Sequence, residues 1–209
     1  MNFKYKIILI QDMEVKTPSI KNIKLSFKVE NLKTNLPSLL PQVKVKKYHN
    51  FIVFKLKNYT YIVFPSANFI NVTGIRGICC IQQAISYFLT LINSNSQNID
   101  FQIDNITCSG FISKFSNLDH LYKYLRQLEN LHSVRFNSYN FHALYLKLQE
   151  KGTCIFFNSG KFNIVGITCL DQIEDIFTRL CVLITGKWGM LRLCVSHWGS
   201  SSFIIYKLY

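Results

Sequence analysis

Apolar residues alternate from Ile20 to Val29, with Ile23, Leu25 and Phe27 on one side, and that period predicts a half-buried strand. Similar stretches predict strands at Lys4 to Ile10, Lys44 to Tyr48, Phe51 to Lys57 and Thr60 to Phe64, with Asn58 and Tyr59 as a tight turn between the last two. Phe69 to Thr73 completes the set, and Gly74 ends it. The period then lengthens: Ile75, Ile78, Ile81, Ile85, Phe88 and Ile92 form one stripe and predict a helix from Arg76 to Ile92. A short helix from Leu32 to Leu40 is broken by Pro37 and Pro41.

After the polar stretch Asn93 to Asn98 the order recurs. Strands are expected at Asp100 to Ile106 and Gly110 to Phe115, then a helix from Leu118 to Leu131. Further strands follow at Ser133 to Phe136, Phe141 to Leu148, Thr153 to Phe157 and Lys161 to Val165, then a helix from Leu170 to Ile184. Leu191 to Trp198 and Phe203 to Leu208 read as an appended hairpin.

The recurrence extends to the residues. FPSANFINVTGI begins at Phe64 and FNSGKFNIVGIT at Phe157, 93 positions later. At that offset Phe64 aligns with Phe157, Ser66 with Ser159 and Phe69 with Phe162; the helices that follow align at an offset one residue smaller. IKNI and IDNI place Asn22 and Asn105 at one point near the start of each half. The predicted organisation is an extension over 1–19, repeats over 20–98 and 99–185, and a second extension over 186–209. Halves of that length suit a pseudo-symmetric domain better than a solenoid.

Charge narrows the partners. The 209-residue chain carries a net charge of +13, and residues 1 to 60 hold twelve Lys against three acids. Such a field attracts polyanions, nucleic acid first, with membrane surfaces and acidic proteins as alternatives. The seven cysteines form no Cys-x-x-Cys pair and read as core thiols of a reducing compartment. Five scattered histidines give no metal spacing. The apolar run near the N-terminus is short and reads as a strand, and no window is long and apolar enough to span a bilayer. Asp100, Asp104, Asp119, Asp171, Glu174 and Asp175 read as surface or helix-start acids, so neither an enzymatic activity nor a cofactor or small-molecule substrate is expected.

IDFQIDNI, FHALYLKL and CIFFNSGKFNIVGI, in that order, resemble the core of the TATA-box-binding protein family, and the likeness spans Ile20 to Ile184. The resemblance implies an α+β saddle: two pseudo-symmetric repeats form one curved antiparallel sheet with helices on the convex face. It further implies a general transcription initiation factor that binds A/T-rich (TATA-like) double-stranded promoter DNA through the minor groove and bends it, recruiting a transcription factor IIB-like protein and RNA polymerase machinery. The family is itself a standard example of minor-groove binding by sheet and apolar wedge. The implied compartment is the nucleus, or the transcription compartment of a virus or reduced nucleus.

The resemblance assigns DNA contacts residue by residue. Asn22 and Asn105 match an Asn pair near the dyad, which suits a groove that shows only acceptors at A·T pairs. Phe141 and Phe157 match the second-repeat wedges. Phe64 matches one first-repeat wedge, with His49 or Phe51 as its companion. Lys161 matches a phosphate-contacting Lys, Lys55 and Lys147 match basic strand residues, Ser159 lies in the matched turn, and Thr73 matches a groove-facing Thr.

Departures accompany the match. In the first half Ala67 stands for Gly160 and Asn68 for Lys161, the strand after them reads one residue longer, and Val165 replaces the second half's Thr. Cys79, Cys80, Gln82, Gln83 and Tyr87 replace basic residues on the first long helix. The alternative function is a platform or regulator of the same fold that has lost sequence-specific DNA binding.

Overall fold

The computed structural model describes residues 7–10, 13–30, 32, 43–94, 99–113, 117–128, 133–137, 142–148 and 152–185; at 7–10, 13, 14, 137 and 185 only the backbone is described. The fold is α+β. The strands are β1 (Ile7–Ile10), β2 (Met13–Lys28), β3 (Val45–Lys47), β4 (Ile52–Leu56), β5 (Tyr59–Phe64), β6 (Phe69–Ile75), β7 (Phe101–Ile112), β8 (Ser133–Asn137), β9 (Ala143–Lys147), β10 (Thr153–Phe157) and β11 (Lys161–Ile167). The α-helices among the described residues are α1 (Ile81–Leu91), α2 (Leu118–Arg126) and α3 (Asp171–Thr185). Ten strands follow the hydrogen-bonded order β3-β4-β5-β6-β2-β7-β11-β10-β9-β8, and β1 pairs with β2.

The contacts gather into two units. The first holds Ile20–Cys108 with Gly166–Cys169; the second draws its described residues from 2–19, 109–165 and 170–209. In the first, one face of the sheet packs on α1. Phe88 meets Phe27 edge-on at 5.7 Å and stacks near Tyr61 at 5.5 Å, with Phe54 behind at 6.3 Å. Tyr61 is wholly buried, and its hydroxyl donates to the Ala84 carbonyl at 2.7 Å, so its own polar atom is not stranded in the core. In the second unit Phe162 lies between Phe156 at 5.9 Å and Phe177 of α3 at 6.1 Å. Leu118 and Leu125 of α2 are buried. Asn117 caps that helix by accepting the Asp119 N–H at 2.7 Å, and Lys123 and Arg126 complement its C-terminal end.

Several expected boundaries move. The β4–β5 turn is Lys57 and Asn58, since Leu56 pairs with Tyr59; Lys57 takes φ 55, and Tyr59 is buried as the first residue of β5. The helix expected from Arg76 begins as a 3-10 turn at Ile78–Cys80 and becomes α-helical at Ile81. β2 starts at Met13, well before Ile20, because it pairs with β1. The expected strands at 100–106 and 110–115 are the single strand β7, and the helix expected to reach Leu131 is assigned only to Arg126. All but Leu32 of the Leu32 to Leu40 helix, and the hairpin beyond Leu191, lie outside the described residues.

Gly110 explains why β7 is continuous. A β-carbon there would strike the Phe162 ring, with Cε1 at 2.7 Å, and the Lys16 carbonyl at 2.9 Å, so this glycine permits close packing within a strand and does not end one. Gly110→Ala is expected to destabilise the protein by about 1–3 kcal/mol, the usual range for overpacking, seen as a lower denaturation midpoint.

All six described cysteines are free. Burial pushes the thiols of Cys108, Cys154 and Cys181 up to about 12. Cys79 is exposed, and a hydrogen bond with the Cys80 thiol lowers its pKa. A thiolate is the reactive form. Alkylation of the native protein followed by mass spectrometry should therefore label Cys79 first at mildly alkaline pH, and label the three buried thiols only after unfolding.

Candidate nucleic-acid interface

Strand β6 buries Ile70, Val72 and Ile75, and β11 buries Phe162, Ile164 and Ile167. Alternation would bury every second residue, so both strands skip one place just before their last core residue. In β6 the skip coincides with a register shift against β2 between Ile23 and Leu25, a β-bulge. Gly74 in β6 has φ 94, Gly166 in β11 has φ 79, and a β-carbon on Gly74 would collide with the Asn58 carbonyl oxygen.

At each of these glycines the N–H donates to an asparagine. Gly74 donates to Asn22 Oδ1 at 2.7 Å, and the Thr73 hydroxyl donates to the same oxygen at 3.1 Å. Gly166 donates to Asn105 Oδ1 at 2.7 Å, while Asn105 Nδ2 donates to Thr107 Oγ1 at 3.3 Å. A backbone N–H only donates, so it fixes which end of each amide is oxygen and leaves the NH2 directed away from the bond. Asn22 and Asn105 stand on neighbouring strands, β2 and β7, within the first unit, and both are half-buried.

The first unit's sheet has a face turned away from α1. There Lys55 lies opposite Thr60, and Thr60 opposite Thr73. Phe64 lies opposite Phe69, with ring centroids 6.0 Å apart. Phe51 is 5.5 Å from Phe64, and Tyr48 stacks on Phe51 at 4.6 Å. Of the two possible companions of Phe64, Phe51 touches it, while exposed His49 contacts Asn50.

In the second unit Lys147 lies opposite Thr153 and Thr153 opposite Val165. Phe157 is half-buried opposite Ala143, beside Phe156, which is wholly buried on the helix side. Ser159 is exposed in the β10–β11 turn and accepts the Lys161 N–H at 3.5 Å; Lys161 is exposed. The Lys16 ammonium sits 5.4 Å from the Phe111 ring centre. Phe141 lies outside the described residues.

These registers correct the sequence alignment. Phe162 is wholly buried, whereas Phe69 is half-buried and pairs with Phe64, so the two are not equivalent. The counterpart of Phe162 is Ile70, and that of Lys161 is Phe69. Asn68 occupies the place of Gly160: both are left-handed, φ 52 and 79, and they accept Val29 N–H at 3.0 Å and Ile112 N–H at 2.9 Å. β6 and β11 have the same length, 7 residues, and the extra residue of the first half lies in the turn, where Pro65–Ala67 form a 3-10 helix.

Residues 100–185 match the family model described as transcription factor TFIID, or TATA-binding protein. By fold the chain is similar to Methanococcus jannaschii TBP, at 18% identity and TM-score 0.66, over 82% of this chain and 99% of that one. Residues 100–185 thus resemble the TATA-binding protein family, and the fold is TATA-binding-protein-like. No curated protein matches the chain by sequence. The family-model match covers the second half, while the structural likeness extends well beyond it. No group of metal-ligating side chains occurs among the described residues, and no helix among them is long and apolar enough to cross a membrane.

Asn22→Ala strands the Gly74 N–H and the Thr73 hydroxyl and should cost about 1–3 kcal/mol, the penalty for leaving a partly buried donor unpaired. Asn22→Asp retains the acceptor oxygen and should stay close to the parent in thermal denaturation while losing the outward NH2.

Proposed function

We propose that this protein is a transcription initiation factor that binds A·T-rich promoter DNA through the minor groove and bends it. The family match and the fold support a DNA-binding, transcription-related role. The observation that carries the finer reading is the pair of glycine-held asparagines: each offers an N–H donor from a fixed amide. Adenine N3 and thymine O2 accept such a bond, whereas the guanine amino group would oppose it.

Around that pair, Phe64 with Phe51, and Phe157 with Phe141, act as wedges that unstack base steps. Each wedge costs a few kcal/mol of stacking, on the order of what the additional contacts to bent DNA return. Lys55, Lys147 and Lys161 contact phosphates, Thr73 and Ser159 line the contact, and the excess of Lys supplies a salt-dependent, sequence-independent attraction. The two repeats are residues 20–98 and 99–185, each presenting the sheet face away from its helices to DNA. The helical side receives a transcription factor IIB-like protein and polymerase machinery in the nucleus or an equivalent compartment.

One observation favours a second reading, a platform with weakened DNA binding. Phe69 occupies in the first half the place that Lys161 occupies in the second, so that half lacks the matching phosphate contact.

Band-shift and bending assays on A/T-rich and G/C-rich duplexes at two salt concentrations test the proposal. The expected result is tighter binding to the A/T-rich duplex, affinity that falls with salt, and a bend reduced by Phe157→Ala. The doubly substituted Asn22→Asp, Asn105→Asp protein should fold and lose the A/T preference. Equal affinity for both duplexes with no bend overturns the DNA reading in favour of the platform.

A further inference from the structure

Phe69 stands where the second half has Lys161, and a lysine absent from the sequence-based site stands across from it. Lys28 of β2 lies opposite Phe69 of β6. Its neighbours Phe27 and Val29 are buried, so exposed Lys28 belongs to the face turned away from α1, the face that also carries Phe64 and Phe69. Among the described residues no acid pairs with it, unlike Lys24, whose ammonium is 3.9 Å from the Asp104 carboxylate.

The equivalent place in the second half holds an aromatic ring. Val29 and Ile112 are counterparts, because their N–H groups donate to the carbonyls of the two left-handed residues, Asn68 at 3.0 Å and Gly160 at 2.9 Å. The residues before them are Lys28 and Phe111, 83 positions apart like Asn22 and Asn105. Two further pairs keep that register: Ser26 lies opposite Asn71, and Ser109 touches Asn163. Between the contacts of Ile112 with Gly160 and of Ser109 with Asn163, Phe111 falls beside Lys161, and a β-carbon on Gly160 would lie 3.0 Å from the Phe111 ring. Each half thus sets one lysine next to one phenylalanine at the same point, with the strands exchanged. The lysine is on β2 and the phenylalanine on β6 in the first half; the phenylalanine is on β7 and the lysine on β11 in the second.

We propose that Lys28 is a phosphate-contacting residue of the first half, the counterpart of Lys161 carried on the neighbouring strand. This rests on the minor-groove reading above. Facing positions on paired strands have β-carbons about 5 Å apart, a gap that the long, flexible stem of lysine spans, so an ammonium sent out from either strand reaches the same space. Phe69 therefore removes a lysine from β6 without removing the cation from that face, which counts against the platform reading.

Band shifts of the full chain on one A/T-rich duplex across a salt series test this. Each phosphate neutralised contributes about 0.9 to the slope of log affinity against log salt. Lys28→Gln should lower that slope by about 0.9 and keep the A/T preference, as should Lys161→Gln. Lys123→Gln removes the same charge from an exposed place on α2 and should leave the slope unchanged. The double variant Lys28→Phe, Phe69→Lys should regain the parent slope; circular dichroism checks its fold, and Lys28→Gln decides the matter should it not fold. A slope unaffected by Lys28→Gln, or lowered equally by Lys123→Gln, overturns this inference and leaves the parent's A/T preference standing. A parent that binds no duplex overturns the minor-groove reading, and this inference with it.

Discussion

A glycine N–H that donates to a side chain and not to a neighbouring strand is the constraint on which the candidate interface depends. An asparagine amide can rotate to present either end, and only a partner with one possible role fixes it. Gly74 and Gly166 supply that partner, each at 2.7 Å. Their positive φ values accompany the skip that returns Ile75 and Ile167 to the core side. One backbone irregularity thus seats the last core residue of its strand and orients a polar group on the opposite face. A β-carbon at Gly74 would meet the Asn58 carbonyl, so the β4–β5 turn and the orientation of Asn22 are sterically linked.

The sequence carried the fold class and most element types because the apolar periods are long and the two halves agree. Boundaries failed where a residue's local signal competed with a tertiary one. Gly110 looks like a break and is a packing site for Phe162; Met13 to Lys16 carries little alternation and is held in β2 by pairing with β1. The 93-residue offset holds at Phe64 and fails beyond the turn, since a left-handed position accepts either Gly160 or Asn68 and identity alone did not show which residues correspond. The helices' smaller offset already carried that information. The insertion belongs in the turn because β6 and β11 have equal length.

That one-residue slip concealed part of the candidate site. Once Phe69 is aligned with Lys161, the first half's open face holds the row Tyr48, Phe51, Phe64 and Phe69, and Asn71 falls into register with Asn163. Asn22 and Asn105 were legible because IKNI and IDNI match as short motifs in their own right, at an offset of 83 residues. Phe51 was not singled out, because its choice over His49 depends on which ring reaches Phe64, a distance that only packing determines.

On the proposed function, the two halves differ in the groups they offer a polyanion with a π-stacked interior. At the compared positions the first half offers a row of contacting rings, and the second offers Phe157 and exposed Lys161, with Lys16 over Phe111. Ring surface gains from contact with unstacked bases and is insensitive to salt, whereas ammonium groups act on phosphates and weaken as counterions accumulate. Phe69 in place of a lysine exchanges one mode of attachment for the other, and loss of that cation does not by itself imply loss of nucleic-acid contact. The excess of lysine in residues 1 to 60 further offsets it, because long-range attraction depends on summed charge and not on any single ammonium.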